Sequence, residues 1–324
     1  MPDKKPPPED LAPLGPPPEG PGNAWGGPAR SLRGELRENE PMARHVSWRA
    51  GGSVARAYFP ADLADLAEFL RRLRPDEPLL AVGLGSNLLV RDGGFDGTVV
   101  FTHGALNVLR QEPEGSVYVE AGVASPKVAR FTANLNLVGA EFLAGIPGTF
   151  GGALAMNAGC YGGETWPLVE RVQMLNRRGE VIVRTRDDFA VGYRHVGLKS
   201  ATDEIFAGAW LRLTSGDAAA ARAEIANLLE KRIASQPLDL PNAGSVFRNP
   251  PGDHAARLIE AAGMKGACEG GARVSEKHAN FVVNPAGVAS ATAIESLIGR
   301  IQVEVRRRFG IELVREVRIV GESG

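Results

Sequence analysis

The chain has 324 residues, 44% hydrophobic and 23% charged, with a formal net charge of −1. That length admits two or three domains, and the composition is ordinary for a globular protein. The near-zero charge offers no basic excess to a polyanion, which argues against a nucleic-acid partner. No apolar run reaches bilayer-spanning length, so no membrane insertion is expected. The N-terminus lacks the apolar core of a secretory signal. Cys160 and Cys268 are too few and too far apart for a disulfide framework, and a reducing cytoplasm is expected. No Cys/His group has metal-ligand spacing, so no metal is expected.

Residues 1–38 hold ten of the 23 prolines and few large apolar residues. Such a segment buries too little surface to offset its ordering entropy, and it reads as a disordered or polyproline-like tail. The globular pattern starts near Asn39. Ala61–Leu73 reads as an amphipathic helix with Leu63, Leu66, Phe69, Leu70 and Leu73 on one face. Strand-like runs follow at Leu79–Val82, Leu88–Val90, Thr98–Thr102 and Ser116–Ala121. Ser125 and Pro126 fit the N-cap and first turn of a helix running to about Leu137.

Residues 145–164 contain seven glycines in a run that looks like loop. A glycine-rich main chain brings its N–H groups close to a ligand, and successive N–H groups make an anion-binding concavity. Interleaved Ile146, Phe150, Leu154, Met156 and Tyr161 argue against a flexible linker. With Gly83-Leu-Gly-Ser-Asn87 upstream, two such loops suggest a large phosphate-containing cofactor held on main chain. Beyond them, Val169–Leu175 and Glu180–Thr185 flank a hairpin turn at 176–179, and Ile205–Leu213 is a further strand. Asp217 caps a long helix to about Ala234. Helices at about 254–262 and 291–309 and strands at Asn280–Asn284 and Leu313–Val320 complete an α+β C-terminal unit.

A dinucleotide-binding reading of residues 83–88 fails. Leu88 stands where the third glycine belongs, and a strand follows instead of a helix. No phosphate-binding Gly-Lys-Ser/Thr loop is present either. Seven motifs instead occur in a recognisable order: Val82–Val90, Gly145–Gly152, Asn157–Glu164, Tyr193-Arg194, Ala243–Pro250, Val274–Phe281 and Glu316-Val-Arg318. Together they resemble the UDP-N-acetylenolpyruvoylglucosamine reductase family, flavoenzymes that form UDP-N-acetylmuramate for bacterial peptidoglycan. The resemblance runs from about residue 39 to the C-terminus.

The resemblance implies an α+β fold. Residues 39–215 would be a two-subdomain FAD-binding region of the vanillyl-alcohol-oxidase (PCMH) type, with a border near residue 105, and residues 216–324 a substrate domain. Only 71 positions separate Ser245 from Glu316, which matches the shorter form of the family, without its substrate-domain insertion. Non-covalent FAD, NADPH as hydride-donating co-substrate and UDP-N-acetylglucosamine enolpyruvate as substrate are implied. So is a monomer in the bacterial cytoplasm, serving cell-wall biogenesis and with it cell shape and division. By motif position, Gly83, Leu84, Gly85, Ser86, Asn87 and Leu88 would hold the FAD pyrophosphate. Gly145, Ile146, Pro147, Gly148, Thr149, Gly151 and Gly152, with Asn157, Ala158 and Gly159, would line the flavin, and Arg318 joins this cofactor set.

Arg194 matches the catalytic arginine, and also a substrate-binding residue. A guanidinium grips a carboxylate with two parallel donors and keeps its charge when buried. Ser245 matches the proton donor; without the resemblance it reads as a turn serine. Glu316 matches the third catalytic residue. Its apolar neighbours suggest burial, which favours the protonated acid; an ion pair with Arg315 or Arg318 is the structural alternative. Tyr161, Asn249 and His278 match substrate contacts, although an unaided reading makes His278 a solvated loop residue. Cys160, Val196 and Arg273 depart from the family's usual alanine, serine and glutamine. Two other readings stand beside this one: an oxidase of the same fold with a covalently tethered flavin, and a catalytically dead flavin-binding module.

Overall fold

The computed structural model describes residues 31–200 and 203–324. Strands β1 (Glu35–Pro41) and β2 (Ser53–Phe59) pair antiparallel. Helix α1 (Leu63–Arg72) follows, capped by the Asp62 carboxylate, which accepts the Asp65 N–H at 2.9 Å. Then come β3 (Leu79–Val82), β4 (Leu88–Val90) and β5 (Phe95–Phe101). β5 lies between β2 and β3 and parallel to both, giving the sheet order β1-β2-β5-β3.

A second unit begins with β6 (Leu109–Gln111), β7 (Val117–Glu120), α2 (Ser125–Asn134) and β8 (Leu137–Val138). It continues through α3 (Phe150–Met156) and the small hairpin β9 (Gly159–Cys160) and β10 (Gly163–Glu164). Next are β11 (Val169–Asn176), β12 (Val181–Thr185), the hairpin β13 (Phe189–Gly192) and β14 (His195–Leu198), β15 (Glu204–Leu211) and β16 (Thr214–Ser215). The antiparallel sheet order is β12-β11-β15-β7-β6. The buried stripe of α1 (Leu66, Phe69, Leu70) shares one core with Tyr58 and Val100 of the first sheet and Leu175 and Ala207 of the second. α1 is thus the layer joining the two units.

Helix α4 (Ala218–Ser235) is capped by Asp217 as its sequence predicts, the carboxylate accepting the Ala219 N–H at 2.7 Å. Expected to open the C-terminal unit at residue 216, it instead packs on α2, burying Ala221 and Ile225 in the core of the second unit. The C-terminal unit itself contains α5 (Ala255–Ala261), β17 (Cys268–Glu269), β18 (Ala272–Val274), β19 (Val282–Val283) and α6 (Ala291–Phe309). The chain then returns to the first unit, where β20 (Arg318–Val320) pairs parallel with β4. Trp48 of the first unit is buried in the C-terminal core; its indole N–H donates to Val282 O at 2.7 Å, and its carbonyl accepts from Asn284 Nδ2 at 3.0 Å.

Several expectations need correction. Order begins before residue 39. β1 starts at Glu35, and the Arg33 N–H donates to Asp65 at 2.7 Å, so removing the chain through Gly34 takes away part of the fold. The rest of the proline-rich segment, residues 1–30, lies outside the described residues. Ser125 is the first helical residue of α2, with Ala124 at the cap, and α2 ends at Asn134. The glycine run is not all loop, because Phe150–Met156 is helical. The strand expected at Asn280–Asn284 is only Val282–Val283. That expected at Leu313–Val320 is ladder only at its end; residues before it make a single bridge, Arg315 with Phe247.

Candidate active site

The two small-residue loops face each other across a cleft of about 380 Å³, a volume in the range of cofactor sites. One wall is residues 83–88, between β3 and β4. Ser86 Oγ donates to Pro147 O at 2.8 Å and so clips this loop to the second. Gly85 has φ +60°, and a side chain there would run into the carbonyl oxygen of His45 and, at 2.8 Å, the Cα of Val46. Its carbonyl in turn accepts the Ser47 N–H at 3.1 Å. The N–H groups of Leu84, Gly85 and Ser86 meet no acceptor among the described residues. Such a row of free main-chain donors is what a pyrophosphate needs, so the residues present fit FAD.

The second wall is residues 145–149 and the cleft-facing side of α3, with Gly152 and Met156. Apolar Phe150, Ala153 and Leu154 pack inward at helical spacing. Gly151 does not line the cleft. It lets α3 sit on the end of β7, where a Cβ would come within 2.7 Å of the Ala121 side chain and the Gly151 N–H donates to Ala121 O at 2.9 Å. Ala158 and Gly159 do line the cleft; Asn157 is buried behind it. The helical signal was available in the spacing of Phe150, Ala153 and Leu154, but the glycines masked it. Gln236 and Phe281, also in the wall, carry no such signal.

Arg194, Ser245, Glu316 and Arg318 come together at the same cleft. Arg194 Nε donates to Glu316 Oε1 at 3.2 Å; the two side chains are only 15% and 14% exposed. The remaining guanidinium donors reach Asn157 O at 3.3 Å and Gly159 O. The ion pair expected between Glu316 and Arg315 or Arg318 does not form, for Arg315 turns away to Glu295 at 3.3 Å. Burial pushes the Glu316 carboxyl above the usual carboxylate range, and the opposing pull of Arg194 only partly offsets it. Backbone bonds set the register of this group: the Glu316 N–H donates to Val246 O at 2.8 Å, placing Glu316 beside the Ser245 segment. Asn87 Nδ2 donates to Glu316 O at 3.2 Å, and the Arg318 N–H to Asn87 O at 3.1 Å, so the first glycine loop is bonded to the segment that carries Glu316.

Tyr161, Asn249 and His278 lie outside the cleft lining. Tyr161 is half exposed at φ +52°, its ring against Gly145. Asn249 Oδ1 accepts the Ala255 N–H at 3.1 Å at the start of α5. His278 is not the solvated residue of the unaided reading. It packs edge-on to Phe281 with centroids 4.7 Å apart, and burial lowers its pKa, leaving the imidazole neutral at pH 7. Cys160 lines the cleft; its Sγ donates to Phe142 O at 3.2 Å, and burial pushes the thiol up to about 11.

A family model described as an FAD binding domain matches residues 54–185, which include both cleft loops. Fold and cleft therefore define an FAD-dependent oxidoreductase, with an FAD-binding region followed by an α+β C-terminal unit. A second model, described as the UDP-N-acetylenolpyruvoylglucosamine reductase C-terminal domain, matches residues 236–320, starting just beyond α4. The chain belongs to the UDP-N-acetylenolpyruvoylglucosamine reductase family. It is 56% identical to the reductase of that name from Thiobacillus denitrificans over 92% of this chain and 95% of the relative. The one from Alkalilimnicola ehrlichii is 57% identical over 90% and 96%. The solved UDP-N-acetylenolpyruvylglucosamine reductase of Thermus caldophilus superposes with a TM-score of 0.72 at 28% identity, covering 89% of this chain and 99% of that one. No helix among the described residues is long and apolar enough to cross a membrane.

Proposed function

We infer that this protein reduces the enolpyruvyl group of UDP-N-acetylglucosamine enolpyruvate to give UDP-N-acetylmuramate, using NADPH, in peptidoglycan precursor synthesis. The observation that carries this reading is the Arg194–Glu316 pair at 3.2 Å on the wall that also holds Ser245 and faces the glycine cradle. FAD, when bound, would supply the hydride chemistry that links NADPH to C3 of the enol ether. The chain's own residues do the rest. Arg194 supports the charge that builds on the substrate carboxylate, Ser245 delivers the proton to C2, and Glu316 stands by as a protonated acid. Tyr161, Asn249 and His278, outside the cleft lining, are proposed contacts for the more distant parts of the nucleotide sugar. The FAD-binding region is proposed to divide near residue 105 and the substrate unit to begin near Gln236. We place the enzyme, as a monomer, in the bacterial cytoplasm.

Two measurements on the purified protein test the reading. The flavin spectrum should be released into the supernatant on acid precipitation, because the Cys160 thiol stays protonated and hydrogen-bonded; colour retained in the pellet would favour the covalent oxidase. NADPH oxidation should require the enolpyruvyl substrate stoichiometrically. Binding without turnover would favour the inactive flavin module.

Glu316 sets the expected pH dependence. Its pKa is raised by burial, so the protonated form persists to higher pH than in an ordinary carboxyl and is lost as pH rises through that raised value. Substrate reduction should therefore fall on the alkaline side. Glu316→Gln should remove this limb and leave a slow, pH-insensitive rate. Unchanged pH dependence in that variant assigns the limb to another group.

A further inference from the structure

Asn157 follows α3 with φ +46° and is 2% exposed. All of its side-chain polar atoms are engaged. Oδ1 accepts the Trp166 N–H at 3.0 Å, while Nδ2 donates to Glu164 Oε2 at 3.0 Å and to Gly192 O at 3.1 Å. An amide offers two donors and one carbonyl oxygen, so this one has little left for a cofactor. Its main-chain carbonyl accepts from Arg194 Nη1 at 3.3 Å. One residue thus grips the β13–β14 turn twice, at the main chain of Gly192 and at the guanidinium of Arg194. The turn needs holding. Arg194 has φ +51°, a conformation that a non-glycine residue keeps only when its surroundings impose it.

We propose that Asn157, braced by Glu164, is a positioning residue that locks the Tyr193-Arg194 turn and keeps the guanidinium aimed at Glu316 and the substrate carboxylate. The proposal rests on the role given to Arg194 under Proposed function. It assigns Asn157 to the catalytic arginine and not to the flavin, and it makes the β9–β10 hairpin, which carries Glu164, part of the catalytic support.

The test uses Asn157→Gly in the full-length FAD-loaded protein, because glycine keeps the left-handed backbone while it removes the side chain and its amide contacts. Flavin content after gel filtration and flavin reduction by NADPH should stay near wild type. Reoxidation by the enolpyruvyl substrate should slow on the order of 10²-fold, the scale of a displacement of about 1 Å in a positioned group. The alkaline limb of that step should also move to higher pH. The charged groups facing Glu316 are Arg194 and Arg248, and a displaced Arg194 leaves the carboxyl holding its proton longer. Glu164→Ala removes one acceptor without opening the buried Trp166 N–H, and should give smaller changes in the same direction. Flavin loss, equal slowing of both halves, or an unmoved pH limb would overturn the assignment. Wild-type protein whose reduced flavin the enolpyruvyl substrate does not reoxidise would instead overturn the underlying function, and the substrate-directed part of this proposal with it.

Discussion

Ser245→Ala should leave flavin reduction by NADPH nearly normal and slow reoxidation by the enolpyruvyl substrate by ~10²–10⁴-fold, the range for loss of a positioned acid. The asymmetry follows from when the hydroxyl acts. In the proposed role it serves only after hydride has reached C3, when C2 must be protonated. The structure also makes this substitution clean. The Ser245 hydroxyl makes no hydrogen bond to another described residue, and its segment is held by main-chain bonds, Val246 N–H to Asn280 O at 2.9 Å and Glu316 N–H to Val246 O at 2.8 Å. Alanine breaks neither, so substrate affinity and thermal stability should change little. Stopped-flow flavin absorbance separates the halves. A normal second half would remove Ser245 as proton donor and leave Glu316 as the candidate.

Gly85→Val should yield folded protein without FAD. At φ +60°, a β-branched residue carries backbone strain on the order of 1–3 kcal/mol. Its Cβ would also strike the His45 carbonyl and the Val46 main chain, which have no flexible end to move aside. Relief requires the loop to shift. A shifted loop misaims the free N–H groups of residues 84–86 and loses the Ser86–Pro147 clip. Most of the first unit's core lies on other strands, so circular dichroism should show retained secondary structure while the visible flavin absorption is lost. Full flavin occupancy in this variant would show that residues 83–88 do not cradle the pyrophosphate.

What the sequence revealed and what it hid divide along physical lines. Local chemistry was legible. The cap at Asp217 and the apolar stripe of α1 sit where their patterns put them. Both glycine loops flank one cleft. Pairing between distant segments was not legible. Arg194 and Glu316 are 122 residues apart, and nothing in either neighbourhood names its partner, so the ion pair weighed for Glu316 as the structural alternative was with the arginines nearest in sequence. The α3 helix was hidden because Gly151 and Gly152 lower helix propensity, whereas tertiary contact with Ala121 rewards the absence of a side chain there. The terminal strand misled for a different reason. Its alternating residues suit a ladder, but Glu316 bonds sideways to Val246 and only residues 318–320 meet β4.

The seating of β20 beside β4 bears on how the protein is made. Asn87 is bonded to the Glu316 carbonyl and to the Arg318 N–H, so the phosphate cradle closes only after residues 316–320 have left the ribosome. During synthesis, the first two units can collapse around α1 while their cofactor loop still lacks its neighbour. Closing a contact across so long a stretch of chain is slow compared with forming local structure. If residues 83–88 cradle the flavin as proposed, a chain ending before residue 316 should keep much of its secondary structure and bind little flavin, which absorbance of such a truncated chain would check.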